Sequence, residues 1–122
     1  YINMTNPGHA ERILSCILEA LEDGKAVNTT LLEVTEIASF TDFMIVSSGR
    51  SVRQVKSLVR RVKDAPLALG VRPLGIEGET SGEWVLIDFG DVVVHVMQPT
   101  AREFYQLEKL WEAPRAVEAE AP

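Results

Sequence analysis

Apolar positions recur at helical spacing near the start of the chain. Ile13, Leu14, Ile17, Leu18 and Leu21 fall three and four residues apart, and Asp23-Gly24 closes the run, which predicts an amphipathic helix over residues 9–23. The pattern then changes period. β-branched and aromatic residues gather at 30–35 and 43–48, giving two strands separated by a polar connection that ends in Thr41-Asp42. Helical spacing returns after Ser51. Val52, Val55, Leu58, Val59 and Val62 form an inner stripe, and Arg53, Lys56, Arg60 and Lys63 are left toward water. Ser51 and Gln54 have the spacing of a capping box, in which each side chain satisfies a free amide of the first turn. Pro66 ends or kinks this helix, and Gly70 leads to a short strand at 71–76, where Pro73 favours an edge position.

Beyond a polar loop at 77–83, two runs of matching length, 84–89 and 92–97, flank Gly90-Asp91 and predict a hairpin. A last helix starts at Thr100, with Thr100 and Glu103 again at capping-box spacing, and Phe104, Leu107, Leu110 and Trp111 as its stripe. Pro114 sets its limit. The order of helix, two strands, helix, three strands and helix implies an α/β fold, with a mixed sheet of about five strands flanked by helices in one domain. Residues 9–112 form that domain. Residues 1–8 are an N-terminal extension, with Tyr1-Ile2-Asn3 ahead of Met4 read as an addition, and 113–122 form a loose Ala/Glu/Pro tail that buries too little to become ordered.

Composition narrows the classes. The chain has 122 residues, of which 46% are hydrophobic, enough for one core. No apolar run approaches the roughly 18 residues of a membrane span, and no signal peptide is visible. The lone Cys16, set among Ile13, Leu14, Ile17 and Leu18, points to a reduced, buried thiol in a cytoplasmic compartment, with a reactive thiol as the lesser alternative. Net charge is -6, which argues against a general nucleic-acid binder, but the charge is segregated. Arg50, Arg53, Lys56, Arg60, Arg61 and Lys63 come with no acid between them, whereas from Glu77 onward ten acids face Arg102, Lys109 and Arg115. Two differently charged surfaces follow, one suited to phosphate and one to a basic protein.

Candidate chemistry is sparse. Asp88-Phe89-Gly90 matches the magnesium-binding triplet of protein kinases, but the glycine-rich loop, strand lysine and H-R-D segment that such a core needs do not appear in the sequence. The triplet is read as the bend of the hairpin. Asp88 and Asp91 are the best pair for a hard cation, yet aspartates in a turn more commonly cap their own backbone. With only His9 and His95 as histidines and one cysteine, no zinc site of the usual kind is expected, and no cofactor. His95, in an apolar run, reads as a core or half-buried residue with a hydrogen-bond partner, or as a contact at an interface edge. Trp84, Tyr105 and Trp111 read singly as core. Trp84 gains weight as a contact because it follows the polar loop and is surrounded by acids.

Thr41-Asp42-Phe43-Met44-Ile45-Val46, Pro73-Leu74-Gly75-Ile76-Glu77-Gly78-Glu79, Glu83-Trp84, Asp88-Phe89-Gly90-Asp91-Val92-Val93-Val94-His95-Val96-Met97 and Phe104-Tyr105-Gln106-Leu107-Glu108-Lys109-Leu110-Trp111 stand in one order across the chain. Together they resemble the ribosomal silencing factor family, also called Iojap-like. The resemblance implies a nucleotidyltransferase-like α/β fold without catalysis. It also implies binding to a basic protein of the large ribosomal subunit, number fourteen, so that small-subunit joining is blocked and translation falls when nutrients are scarce. Organelle relatives assist large-subunit assembly, and free members are often homodimers. Loss of catalysis fits Ser48-Gly49-Arg50-Ser51 in place of a Gly-Ser turn, and Asp88 and Asp91 in place of alternating acids. A degenerate or active nucleotidyltransferase using that pair with magnesium, and an RNA-binding module, are the alternatives. Expected partner-binding residues are Glu77, Glu79, Glu83, Trp84, His95, Met97, Tyr105, Glu108 and Lys109, with ribosomal RNA near Arg53, Lys56 and Arg60.

Overall fold

The computed structural model describes residues 8–35 and 41–103 in full, and the backbone of 104–105. Helix α1 spans His9–Asp23, followed by β1 (Val27–Glu33), β2 (Phe43–Ser48) and helix α2 (Val52–Asp64). A 3-10 segment, Ala65–Leu69, leads to β3 (Gly75–Glu77), β4 (Trp84–Asp88), β5 (Val92–Met97) and helix α3, described over Pro99–Tyr105. The five strands make one sheet in the order β1-β2-β5-β4-β3. β2 and β5 run parallel, and every other neighbouring pair is antiparallel. The expected mixed five-stranded sheet flanked by helices is the fold observed.

Strand alternation divides the sheet into two faces. On one, Ile45, Val92, Val94, Val96, Val85 and Ile87 pack against Ile13, Leu14, Ile17 and Leu21 of α1 and Val55, Leu58, Val59 and Val62 of α2. The other face carries a smaller cluster of Val34, Met44, Val46 and Met97, which Ala101 of α3 joins and against which Leu32 and Trp84 pack. β5 is central and buried at all six positions. Its apolar run therefore needs cover on both sides, as strands in the middle of a two-faced sheet do.

Local signals account for most boundaries. Ser51 Oγ accepts from the Gln54 backbone amide at 3.1 Å, while Gln54 Oε1 accepts from the Arg50 amide at 2.7 Å, one residue earlier than a capping box would have it. Gly70 adopts the left-handed conformation (φ 74°) that closes the 3-10 segment around the buried Pro66.

Several expectations are corrected. Val52 is 40% exposed rather than part of the inner stripe, because the helix begins there and the buried face starts at Val55. The strand expected at 71–76 shrinks to Gly75–Glu77, so Pro73, which has no amide to donate, stays outside the ladder and pairing opens with Leu74 N–H to the Asp88 carbonyl at 2.7 Å. The edge position of this strand is as expected. β1 starts at Val27 rather than Thr30, with a register shift between Val27 and Thr30 and Asn28 at φ 53°. α3 begins at Pro99, whose ring suits a first helical position, so Thr100 lies inside the helix and not at its cap. Cys16 is partly exposed, not buried. The stripe from Phe104 to Trp111 and the tail lie outside the described residues.

Ile17→Ala, at a position with no exposed surface, is expected to lower unfolding free energy by about 2–5 kcal/mol in urea denaturation. Val52→Ala is expected to change it by no more than about 0.5 kcal/mol. Equal costs at the two positions would contradict the assignment of the helix faces.

Candidate partner-binding site

The β4–β5 hairpin decides the role of Asp88-Phe89-Gly90. Asp88 Oδ1 accepts from the Gly90 amide at 2.8 Å, Phe89 N–H donates to the Val92 carbonyl at 2.9 Å, and Gly90 sits at φ 90°. The Asp91 carbonyl accepts from the amides of Asp42 and Phe43 at 3.0 and 3.1 Å, which fastens the turn to the start of β2. The triplet is a self-capped bend, and its aspartate carboxylate is engaged by its own turn.

At the other end of the hairpin, Trp84 pairs in register with Met97, and Leu86 pairs with His95. Trp84 and His95 thus share the face that carries the smaller cluster. The indole Nε1–H donates to His95 Nδ1 at 2.9 Å, with ring centroids 5.9 Å apart and planes tilted by 47°. His95 is only 4% exposed. Burial disfavours its charged form and lowers its pKa from 6.5 to about 4. The ring is therefore neutral at physiological pH. Because Nδ1 is the acceptor, the neutral ring carries its proton on Nε2. A second proton would have to bind Nδ1, the atom that holds the indole.

The loop that delivers Trp84 is built on two glycines. Gly78 (φ 81°) and Gly82 (φ 70°) bracket it, and Gly82 N–H donates to the Gly78 carbonyl at 3.2 Å. A Cβ on Gly78 would collide with the Trp84 carbonyl oxygen, and one on Gly82 would meet Val52 Cγ1 at 2.9 Å and Lys56 Cε at 3.2 Å. The loop therefore lies directly on Trp84's backbone and against α2. Glu77, Glu79 and Glu83 are all exposed. Glu77 pairs with Leu86, which puts it on the sheet face of Trp84. Glu79 instead reaches α2, where its carboxylate accepts from Lys63 Nζ at 3.2 Å.

The family model described as "Ribosomal silencing factor during starvation" matches residues 7–122. A ribosomal silencing factor from Chromobacterium violaceum is 46% identical over 101 residues, covering 83% of each chain. One from Halalkalibacterium halodurans is 36% identical over 110 residues, covering 90% of this chain and 94% of its own. A crystal structure of a Chromobacterium violaceum protein superposes with a TM-score of 0.83 at 44% identity, covering 86% of this chain and 88% of that one. The chain belongs to the ribosomal silencing factor family.

In this silencing-factor chain the expected site residues do not all gather. Glu77 and half-buried Trp84 lie on one sheet face at the β3–β4 end, and exposed Glu83 is the chain neighbour of Trp84. His95 is buried at 4% exposure with Trp84 as its hydrogen-bond partner, as its core reading expects, and Met97 is buried at 0%, so neither is the surface contact that was also expected, because β5 is central. Glu79 turns toward α2. The side chain of Tyr105, and Glu108 and Lys109, lie outside the described residues. Arg53 and Arg60 are exposed on α2, and Lys56 is partly covered by the Gly82 loop. Gly78 and Gly82 are not among the expected site residues. Gly78 is required by its close approach to the Trp84 backbone and Gly82 by its approach to α2, and the only local trace of either is two glycines in a seven-residue polar run.

Between pH 6.5 and about 4 the unfolded chain takes up a proton at His95 that the folded chain refuses. His95 therefore contributes its full stability above pH 6.5, and loses it as pH falls through that window. The loss is about 3 kcal/mol at roughly 1.4 kcal/mol per unit. Urea denaturation across this range is expected to show a shallower pH dependence in His95→Gln, whose amide oxygen still accepts from an indole. Identical slopes would contradict the role given to the buried imidazole.

Proposed function

We propose that this chain binds the large ribosomal subunit through its protein fourteen and keeps the small subunit away by occupying the joining surface, thereby repressing translation when nutrients are limiting. It acts by occupancy in the cytoplasm and transforms no substrate. Membership of the silencing-factor family supports the ribosomal target. The observation that supports the surface assignment is exposed Glu77 on the sheet face of half-buried Trp84, with exposed Glu83 next to Trp84 in the chain. Exposed carboxylates steer a basic protein into encounter, and an aromatic side chain fixed by the sheet beneath it supplies an anchor at low entropic cost. His95 and Met97 contribute to such binding by holding the anchor. The free chain pairs with a second copy, which competes for the same surface.

Sedimentation of separated ribosomal subunits with saturating protein is expected to show fewer joined ribosomes, and unimpaired joining would overturn the proposal. Trp84→Ala is expected to weaken large-subunit binding about thirtyfold, the equivalent of about 2 kcal/mol. Because Trp84 also packs on the core, the surface variant Glu77→Lys with Glu83→Lys provides a readout independent of folding. It is expected to slow association while thermal unfolding stays unchanged.

A further inference from the structure

We infer that the outer face of α2, joined by the turn before β1, is a docking surface for the phosphate backbone of RNA. Arg53, Lys56 and Arg60 are spaced three and four residues apart and so share one side of the helix. That side lies away from the buried Val55, Leu58, Val59 and Val62. Arg53 and Arg60 are separated by about 10 Å along the axis, far enough to meet different phosphates.

Gln54 enlarges the patch in a way the charge run alone does not reveal. Its side-chain amide donates to the carbonyls of Lys25 at 2.9 Å and Gly24 at 3.3 Å, and its oxygen accepts from the Arg50 amide. One side chain thereby fixes the backbone of two further exposed cations, Lys25 and Arg50, against the first turn of α2. Lys25 stands in the left-handed region (φ 65°), held also by its amide to the Glu22 carbonyl.

Among the described residues, the ion pair on this helix is Lys63 with Glu79. Lys25, Arg50, Arg53, Lys56 and Arg60 have no acid within ion-pair distance among those residues, in a chain where 18 acids outnumber 12 bases. Arg61, exposed on the neighbouring side of the helix, lines a shallow pocket with Glu19, Asp23 and Asp64 and is not counted in this patch. Between Arg53 and Arg60 the outward positions hold Lys56 and Ser57, with no aromatic or aliphatic side chain to enter a bilayer or to seed a protein interface core. Such a face suits phosphates, read without sequence preference. That the RNA is ribosomal rests on the proposed function, in which α2 would lie beside the large subunit's RNA while Trp84 engages protein.

The test uses the full chain and the variant Arg53→Gln, Arg60→Gln, which leaves Lys56 against the Gly82 loop, with folding checked by thermal unfolding. Each is titrated against protein-free large-subunit RNA, against protein fourteen alone, and against anionic phospholipid vesicles, from about 50 to 200 mM salt. For the parent, RNA affinity is expected to fall with salt, with a log–log slope of about -2 to -3 for three phosphate contacts. The variant is expected to lose at least tenfold in RNA affinity at the lowest salt and most of that slope, with its affinity for protein fourteen unchanged. Equal RNA affinity and slope in the two proteins would overturn the inference, as would absence of RNA binding by the parent or a preference for vesicles. Failure to bind protein fourteen, with the RNA result intact, would instead remove the proposed partner and leave this surface standing.

Discussion

β5 is buried on both faces along its whole length, and the remaining architecture follows from covering it. Two helices close one side with aliphatic side chains, and a smaller cluster with α3 closes the other. His95 is the polar exception within that strand. A buried imidazole is tolerated when neutral and hydrogen-bonded, and the Trp84 indole satisfies it. Trp84 is thus both the partner of a core residue and a surface feature, and its orientation is inherited from the packing of the middle strand.

Charge is arranged by the same scaffold. The sequence places a basic helix and an acidic stretch far apart in the chain and suggests two separate surfaces. The fold sets them side by side, with Lys63 bonded to Glu79 and the stems of Val52 and Lys56 lying over Gly82. Two close backbone approaches make this possible, and both occur where a side chain would not fit. The acidic loop is therefore braced by α2 rather than hanging free. Its neighbour Trp84 is held at its indole by His95 and closely approached at its backbone by Gly78.

Much of this was legible from local pattern. α1 matches its expected bounds at His9–Asp23, because apolar spacing and the Gly24 stop agree. β2 and β5 match because runs of valine, isoleucine and methionine end at clear turn residues. The bend at Asp88-Phe89-Gly90 was legible because aspartate and glycine satisfy a turn without help from elsewhere. Illegible features depend on contacts between distant segments. Pro73 reads locally as part of a strand, and it is the neighbouring Asp88 carbonyl, paired with the Leu74 amide, that fixes where the ladder opens. Thr100 is a local exception, with a cap's spacing but one residue after Pro99, which already starts the helix. Near the site, the burial of His95 with a hydrogen-bond partner was legible from its apolar run, whereas the identity of that partner, Trp84, and the burial of Met97 follow from strand order, which periodicity does not encode.

The rim of the sheet at β1 is guarded in its own way. Arg102 of α3 reaches across two strands, donating to the Asn28 carbonyl, to Ser48 Oγ at 3.1 Å and to Thr30 Oγ1 at 3.0 Å. This occurs where the register slips and Asn28 leaves the extended conformation. An open strand margin is a template for polymerisation of identical chains, which kinks and occupied acceptors discourage. One guanidinium thus occupies a backbone acceptor at the irregular end of β1 and makes that end a poorer template for a further strand.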